Sequence, residues 1–460
     1  MAKSQQAIGY LPDERPPVWK LLLYAMQQVI VMFPATVAVA IITNFHISTT
    51  IFASGLATLC FILITGRQIP LYYGSSFSYI AAIGGLMASD ALKNYTLNQK
   101  ISVVQFGIIM SGLVSIAAGL IVKRFGRESI EKVLPATVTG PIAMIIGLTL
   151  AGNALGDAAS IAIDTAGKVS VTQAQTPLAL NLAWIISLVT LISTILFSVY
   201  LKGFWGQLPL LFGPILGCFT AFAIKLTTGI DLFKVLPEAA GSGIFALPVF
   251  TLPKPSLLAV AAIMPIAIAT IPESTAHVFQ LDIYVNDLAK KKKAGKVYNI
   301  ADKLGLNLIG DGLGDMISGF VGGPAGTNYG ENISAMAITK VFSIPVLMTA
   351  SVIAMIIACF TPLINAIYSI PTSVIGGLEV YLFGAIAAQG IAIMLERKVD
   401  LFSSKNTAVI ATIMIIGIGG QYKFGGNIPF FGMNIPCIAG AAIFGILLNL
   451  ILSIGEKKKA

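Results

Sequence analysis

From residue 18 onward the sequence is a succession of apolar stretches, each about the length of a membrane span, divided by short polar breaks. A transmembrane helix needs roughly 20 apolar residues, so a chain of 460 residues built this way holds many spans and little else. Only 11% of its residues are charged, against about 25% in soluble domains. Such a chain cannot keep a water-facing surface, and lipid must be its main solvent. No polar stretch is long enough for a separate soluble domain. Residues 1–17 are polar and Pro-rich, lack the apolar core of a cleavable signal peptide, and read as a cytoplasmic tail. The last residues, 455–460, read as another.

The spacing predicts an all-α membrane protein of about fourteen segments, near 18–43, 47–65, 69–88, 101–122, 130–151, 179–201, 207–227, 257–284, 299–318, 319–342, 344–367, 371–391, 406–420 and 432–454. The third and tenth differ from the rest. Each opens on a Gly-rich, extended stretch (Ile69 to Ser76, Gly322 to Gly330) before a short apolar helix. The net charge of +9 is not a nucleic-acid footprint, because the basic residues lie in short loops. With both termini inside, Lys and Arg show a roughly threefold excess on the cytoplasmic side, as the positive-inside rule expects. The run Lys290 to Lys293 is then a solvated cytoplasmic face. Cys60, Cys218, Cys359 and Cys437 stand singly in apolar segments and read as small core residues, neither a metal site nor a disulfide framework.

The two halves echo each other in order. Leu134 to Gly140 recurs as Ile370 to Gly376, Tyr73 to Ser78 as Tyr329 to Ser334, and Pro34-Ala35-Thr36 as Pro272-Glu273-Ser274. The echoes lie seven spans apart. An odd number of spans per repeat inverts the second copy in the membrane, an architecture of many secondary transporters.

Charged side chains at membrane depth are costly and usually face a cavity. Here they are few: Glu273, His277 and Asp282 in span eight, Asp311 and Asp315 in span nine, Glu331 in span ten, and Glu379 in span twelve. Glu273 and His277 are four apart, on one helical face. Glu331 stands where an extended stretch turns into a helix, and the N-terminal amides of such a broken helix suit a ligand oxygen. Carboxylates accept hydrogen bonds and helix-start amides donate them. Together they suit a flat, neutral ligand with alternating ring N–H and C=O groups. Uracil has that pattern, and so do xanthine and other oxidised purines. Plainer roles remain open at this point: Glu331 as a helix-cap carboxylate, Glu273 paired within the bundle, His277 as a satisfied core histidine, Asp311 and Asp315 as braces behind the half-helix. Two carboxylates argue against an anion as substrate. A membrane-bound enzyme is disfavoured, because the sequence has no metal-ligand cluster, Walker-type loop or nucleophile with a base at sensible spacing. Accumulation against a gradient would separate a carrier from a passive channel.

At these residues the chain resembles the nucleobase/ascorbate transporter family, in its uracil permease branch. The resemblance is carried by Gln27-Gln28 with Met32 to Thr36, Gly74 to Phe77, Pro272 to His277, Gly310 to Leu313, and Tyr329-Gly330-Glu331-Asn332, and it covers nearly the whole chain. Purine permeases of that family typically carry Gln where Glu331 stands, which points towards a pyrimidine. The resemblance implies two inverted seven-span repeats, forming a core domain (18–122 and 257–367) and a gate domain (130–227 and 371–454), joined by an extracytoplasmic connection (228–256). It implies a uracil site in which Glu273 and Glu331 accept from ring N–H groups. The backbone amides of Phe77 and Gly330 would contact ring oxygens, and Ala35 and Tyr329 would line the pocket. His277, with Glu273, Glu331 and Asp311, would form the proton-coupling network. It further implies a homodimer joined through the gate. The coupling ion is expected to be the proton, with sodium as the alternative, and no cofactor is expected; the basic loops and the lack of a eukaryotic targeting tail point to a bacterial inner membrane. The chain departs from the family's pattern at Gln28, where a His is usual, and at Ala325 to Asn328. Phe383 occupies a position where a Tyr often reaches the ligand, and Glu379 is an extra carboxylate.

Overall fold

The computed structural model describes residues 9–126, 128–161, 177–203, 205–234, 243–431 and 433–456. Residues 1–8 and 457–460 of the two tails lie outside these, as do Lys3, Arg127, Lys168, Lys457 to Lys459, and 235–242 of the connection.

The first part of the chain runs α1 (Val18–Ile42), α2 (Ile47–Ile64), β1 (Tyr73–Ser75), α3 (Ile80–Met87) and α4 (Leu97–Phe125). Then come α5 (Glu128–Val133), α6 (Ala136–Thr149), α7 (Ala151–Ala158), α8 (Pro177–Tyr200) and α9 (Pro209–Thr228). The second part runs α10 (Leu257–Ile263), α11 (Ala267–Lys291), α12 (Leu304–Val321), β2 (Gly326–Asn328), α13 (Gly330–Thr339), α14 (Ile344–Ile357) and α15 (Thr361–Tyr368). It closes with α16 (Thr372–Glu396), α17 (Ser404–Phe424), β3 (Asn427–Phe430), β4 (Met433–Pro436) and α18 (Cys437–Glu456). Among the described residues, ten helices are long and apolar enough to cross a membrane, and Phe77–Met87 and Ile344–Ile357 are shorter apolar helices. Every one of the fourteen apolar stretches contains helix.

Local chemistry sets many boundaries. Thr96 and Gln99 form a reciprocal capping box at the start of α4, and Gly322, at φ +101°, ends α12. The fourteenth span starts later than its hydropathy suggests. Gly425 and Gly426 at positive φ release the chain from α17, and β3 and β4 pair antiparallel before Pro436 leads into α18.

Close helix contacts depend on small residues. In α4 and α12, Gly112 lies against Gly312 and Gly119 against Gly305, so a methyl group at any of these would strike the opposite backbone. Gly140 and Gly390 do the same for α6 and α16. Small residues let backbones approach where lipid supplies no hydrophobic drive between helices. Two packing groups result: α1, α2, α4 and α10 to α14 pack together, and so do α6 to α9 with α16 to α18. Ala38 and Val39 of the first group, with Ile80 of α3, meet Leu150, Ala154, Leu378, Leu382 and Phe383 of the second in one apolar cluster.

Residues 9–14, read as part of a tail, are tied down. Tyr10 bonds through its backbone to Lys340 and Phe342 (2.8 Å each). Glu14 pairs with Lys292 at 2.5 Å and Asp13 with Lys296 at 2.8 Å. This strap holds the end of α11 to the end of α13.

Candidate functional site

The site is organised by a short ladder. β1 and β2 pair antiparallel, Tyr73 with Asn328, Gly74 with Thr327 and Ser75 with Gly326. Backbone bonds from Tyr329 to Tyr72 and from Ser76 to Ala325 (2.9 Å each) extend it at both ends. Because the strands are antiparallel, the helices that follow them leave the ladder in opposite directions. One is the short run beginning at Phe77 and continuing as α3, and the other is α13.

Polar side chains from the surrounding helices fasten the ladder. Ser54 and Thr58 of α2 donate to the Tyr73 carbonyl at 2.8 and 2.9 Å. On the other side, Asp315 of α12 accepts from the Tyr73 hydroxyl and, at 2.7 Å, from the Gly326 amide. Asp315 is thus a brace, one of the two roles open to it from sequence. The Tyr329 hydroxyl donates to the Ser75 carbonyl and pairs with Thr36 of α1, both at 3.0 Å. Its ring covers Gly74, where a side chain would collide with it. Tyr329 is therefore buried, with its hydroxyl engaged by protein.

Pro272 sits within α11, and the next residue, Glu273, is half-buried, as is Glu331 in the first turn of α13. The helices that carry them, α11 and α13, pack against each other. The first amides of α13 have no partner within the helix, so this place combines two carboxylates with N–H donors. His277 is buried, and its Nε2 would stand 2.9 Å from a Cβ added to Gly330. The α11 helix and the half-helix α13 therefore meet at the histidine. Ala35 is 2% exposed in α1, one residue before the Thr36 that anchors Tyr329. Phe77 is half-buried between two apolar clusters. Phe383 reaches one of those clusters from α16.

Asp311 stands apart from this group but is wired to it. Its Oδ2 accepts from Ser274, the neighbour of Glu273, and from Asn307 at 3.2 Å. Asn328 completes the cluster, donating to Ser274 and to Asn307 (3.2 Å each). Gln28 also has a place: Asn332 of α13 donates to its side chain at 2.9 Å and to its carbonyl at 3.0 Å. Sequence reasoning missed Ser274, Asn307, Asn328, Thr36 and Gln28 as partners. Small polar residues inside apolar helices were the available signal. Glu379 is fully buried on α16, and neither of its oxygens has a hydrogen-bond partner.

The fold is that of a helical membrane protein with a paired-strand break and carboxylates beside it. The sequence profile of the Permease family matches residues 19–425, and the chain belongs to this family, the nucleobase/ascorbate transporters; it is a transporter and not an enzyme. It is 35% identical over 449 residues to the uracil permease of Bacillus caldolyticus, covering 96% of this chain and 94% of that one. It is 33% identical over 445 residues to the putative pyrimidine permease RutG of Escherichia coli strain K12, covering 96% and 91%. Among solved structures it is similar to the transmembrane domain of a cyanobacterium bicarbonate transporter, BicA, with a TM-score of 0.59, 15% identity, and coverage of 94% and 96%. The murine anion transporter Slc26a9 in its inward-facing state gives a TM-score of 0.62 at 14% identity, covering 96% of this chain and 69% of that one. At such identities the likeness is one of fold.

Proposed function

We propose that this chain is a proton-coupled uracil permease working by alternating access. The carrying observation is the pair of half-buried carboxylates, Glu273 and Glu331, at the first turn of α13, where backbone amides have no partner within the helix. That set matches the ring N–H and C=O groups of a neutral pyrimidine. The named activities of the relatives support the same choice.

In this reading fourteen segments form two inverted repeats, divided into the core and gate domains set out above and joined by residues 228–256. Glu273 and Glu331 accept from the ring, and the amides of Phe77 and Gly330 donate to its oxygens. Ala35, Tyr329 and, from the gate, Phe383 shape the pocket. Two bare carboxylates in a low-dielectric site are costly, so one proton shared among Glu273, Glu331 and His277 stabilises the loaded state. Asp311 joins that network through Ser274. The core then rocks against the gate. Moving one charge through 100 mV yields about 2.3 kcal/mol, enough for useful accumulation. The protein would sit as a homodimer in a bacterial inner membrane, with both termini cytoplasmic.

The test is uptake of radiolabelled uracil into proteoliposomes, with and without an inward proton gradient, with excess unlabelled xanthine as competitor. Uptake that needs the gradient, ignores xanthine and falls at least roughly 100-fold in Glu331→Gln is the expected result. Displacement by xanthine would move the substrate to the oxopurines. Full uphill uptake by Glu273→Gln would overturn the proton assignment.

A further inference from the structure

Residues 9–14 do more than tie down the start of the chain. They run beside residues 340–344 like an added strand. The Tyr10 amide donates to the Lys340 carbonyl and the Tyr10 carbonyl accepts from Phe342 (2.8 Å each), while the Pro12 carbonyl accepts from the Ile344 amide at 3.0 Å. Ser343 Oγ donates to the Glu14 carbonyl at 2.6 Å. Gly9, at φ +147°, lies so close that a Cβ there would stand 2.2 Å from the Lys340 oxygen. The other flank of the segment meets the end of α11. Lys292 Nζ donates to the Gly9 carbonyl at 3.0 Å and to the two Glu14 oxygens at 2.7 and 2.5 Å. Lys296 pairs with Asp13, which also accepts from the Tyr298 hydroxyl. Leu11, 2% exposed, belongs to the same core cluster as Leu288, Tyr298, Val341 and Phe342.

The two helices joined in this way are those that carry the site: Glu273 and His277 on α11, and Glu331 in the first turn of α13. Lys292 lies about five turns beyond Glu273. The half-helix α13 has ten residues, about 15 Å of length. The first four amides and last four carbonyls of a helix lack partners within it, and a helix this short is marginal alone. Its persistence rests on what holds its two ends. The ladder holds the first. At the second, Lys340 turns the chain at φ +57°, and residues 9–14 satisfy the backbone groups that follow. We propose that residues 9–14 are a positioning element of the substrate site, fixing the end of α13 to the end of α11 and so keeping Glu331 and its neighbouring amides preorganised against Glu273. This role presupposes that Glu273 and Glu331 accept from the substrate, as proposed above. Groups already ordered bind without a further loss of entropy. Undocking the segment leaves every site residue present but less ordered, so affinity falls while the fold remains.

Two measurements on the purified full chain test this: equilibrium binding of radiolabelled uracil, and hydrogen exchange across α13 without substrate. Gly9→Ala sets a methyl group against the Lys340 oxygen, and Glu14→Lys sets like charge against Lys292. Each should weaken uracil binding at least about fivefold. Each should also speed exchange in the last turns of α13 at least roughly tenfold, with exchange in α4 and α12 unchanged. Adding Lys292→Glu to Glu14→Lys should restore both readouts. Wild-type affinity, or wild-type exchange across α13, in both single variants overturns the proposal. So does an acceleration spread equally over α4 and α12, which would mark a loss of overall stability instead. A wild type that binds no uracil would overturn the substrate reading, and the exchange pattern would then decide on the segment by itself.

Discussion

Gly330 opens α13 with its Cα set against His277, and the contact leaves no room for a methyl group. A Cβ there would lie 2.9 Å from His277 Nε2, closer than side chains normally approach. Gly330→Ala should therefore displace the imidazole or the half-helix at a cost of roughly 1–3 kcal/mol. We expect uptake to fall about tenfold or more while the protein still elutes as a folded species, which fluorescence-detected gel filtration will show. Glu379 is the opposite case, a residue whose chemistry the fold leaves unanswered. It is fully buried without a hydrogen bond, and Asp157 and Lys234 supply the charges around it. An apolar side chain of similar volume removes a buried polar group without a partner and leaves Asp157 and Lys234 as an opposite-charge pair, for a gain of roughly 1 kcal/mol. Glu379→Met should raise the unfolding midpoint. A midpoint that drops by several degrees would mean that Glu379 holds its surroundings together.

At the scale of elements, the strap 9–14 and the ladder hold the half-helix α13 from its two ends. Asp13 is one of the strap's fastenings, beside the Tyr10 backbone bonds and the Glu14–Lys292 pair. Partial burial works against ionisation of its carboxyl, but the hydrogen bonds from Lys296 and Tyr298 outweigh this and hold it below the ordinary carboxylate value. A carboxyl so depressed stabilises the fold above its unfolded value of 3.8, and the contribution is lost as pH falls through the lower folded value. Because the Asp13–Lys296 pair is largely exposed, the effect is small. Hydrogen exchange at Tyr10 and Phe342, corrected for intrinsic rates, should be flat from pH 7 to 5 and rise only below about pH 4. Loosening already at pH 6 would rule Asp13 out as a fastening group. The extended stretches at Ile69 to Ser76 and Gly322 to Gly330 were legible because Gly, Pro and Ser interrupt apolar runs there. The partners of those stretches were not. Tyr73 meets Asp315 across 242 positions, and no local pattern encodes a contact of that separation. The β3–β4 pair escaped for a related reason: its Ile, Phe and Met suit a span and a strand equally, and only the flanking glycines mark the difference.

For the whole molecule, the proposed alternating access requires the two packing groups to move against each other. An apolar cleft of about 520 Å³ separates α1 from α9, α15 and α16, with Phe33, Val37 and Ala38 on one side and Cys218, Phe219 and Leu378 on the other. If the groups shift during transport, this cleft must change shape. Filling it should then stop the cycle. In a variant with Cys218 as sole cysteine, complete labelling by a membrane-permeant maleimide should abolish uptake. Undiminished uptake by fully labelled protein would mean that the cleft is not part of the moving boundary.

What the sequence determined by itself is what depends on local composition and on short motifs. Runs of apolar residues require helices in lipid, and a Gly-rich break beside Glu331 marks where the helical backbone is interrupted. The order of these motifs was enough to identify the permease family. The tertiary structure alone decided which of the polar residues work together. It packed the helix of Glu273 against that of Glu331, set His277 on Gly330, turned the Tyr329 hydroxyl to Thr36 and Ser75, and gathered Asp311, Asp315 and Thr327 around one small space. The physical reason is that polar groups inside a membrane protein must find partners wherever packing brings them. Packing between distant helices follows shape rather than sequence order.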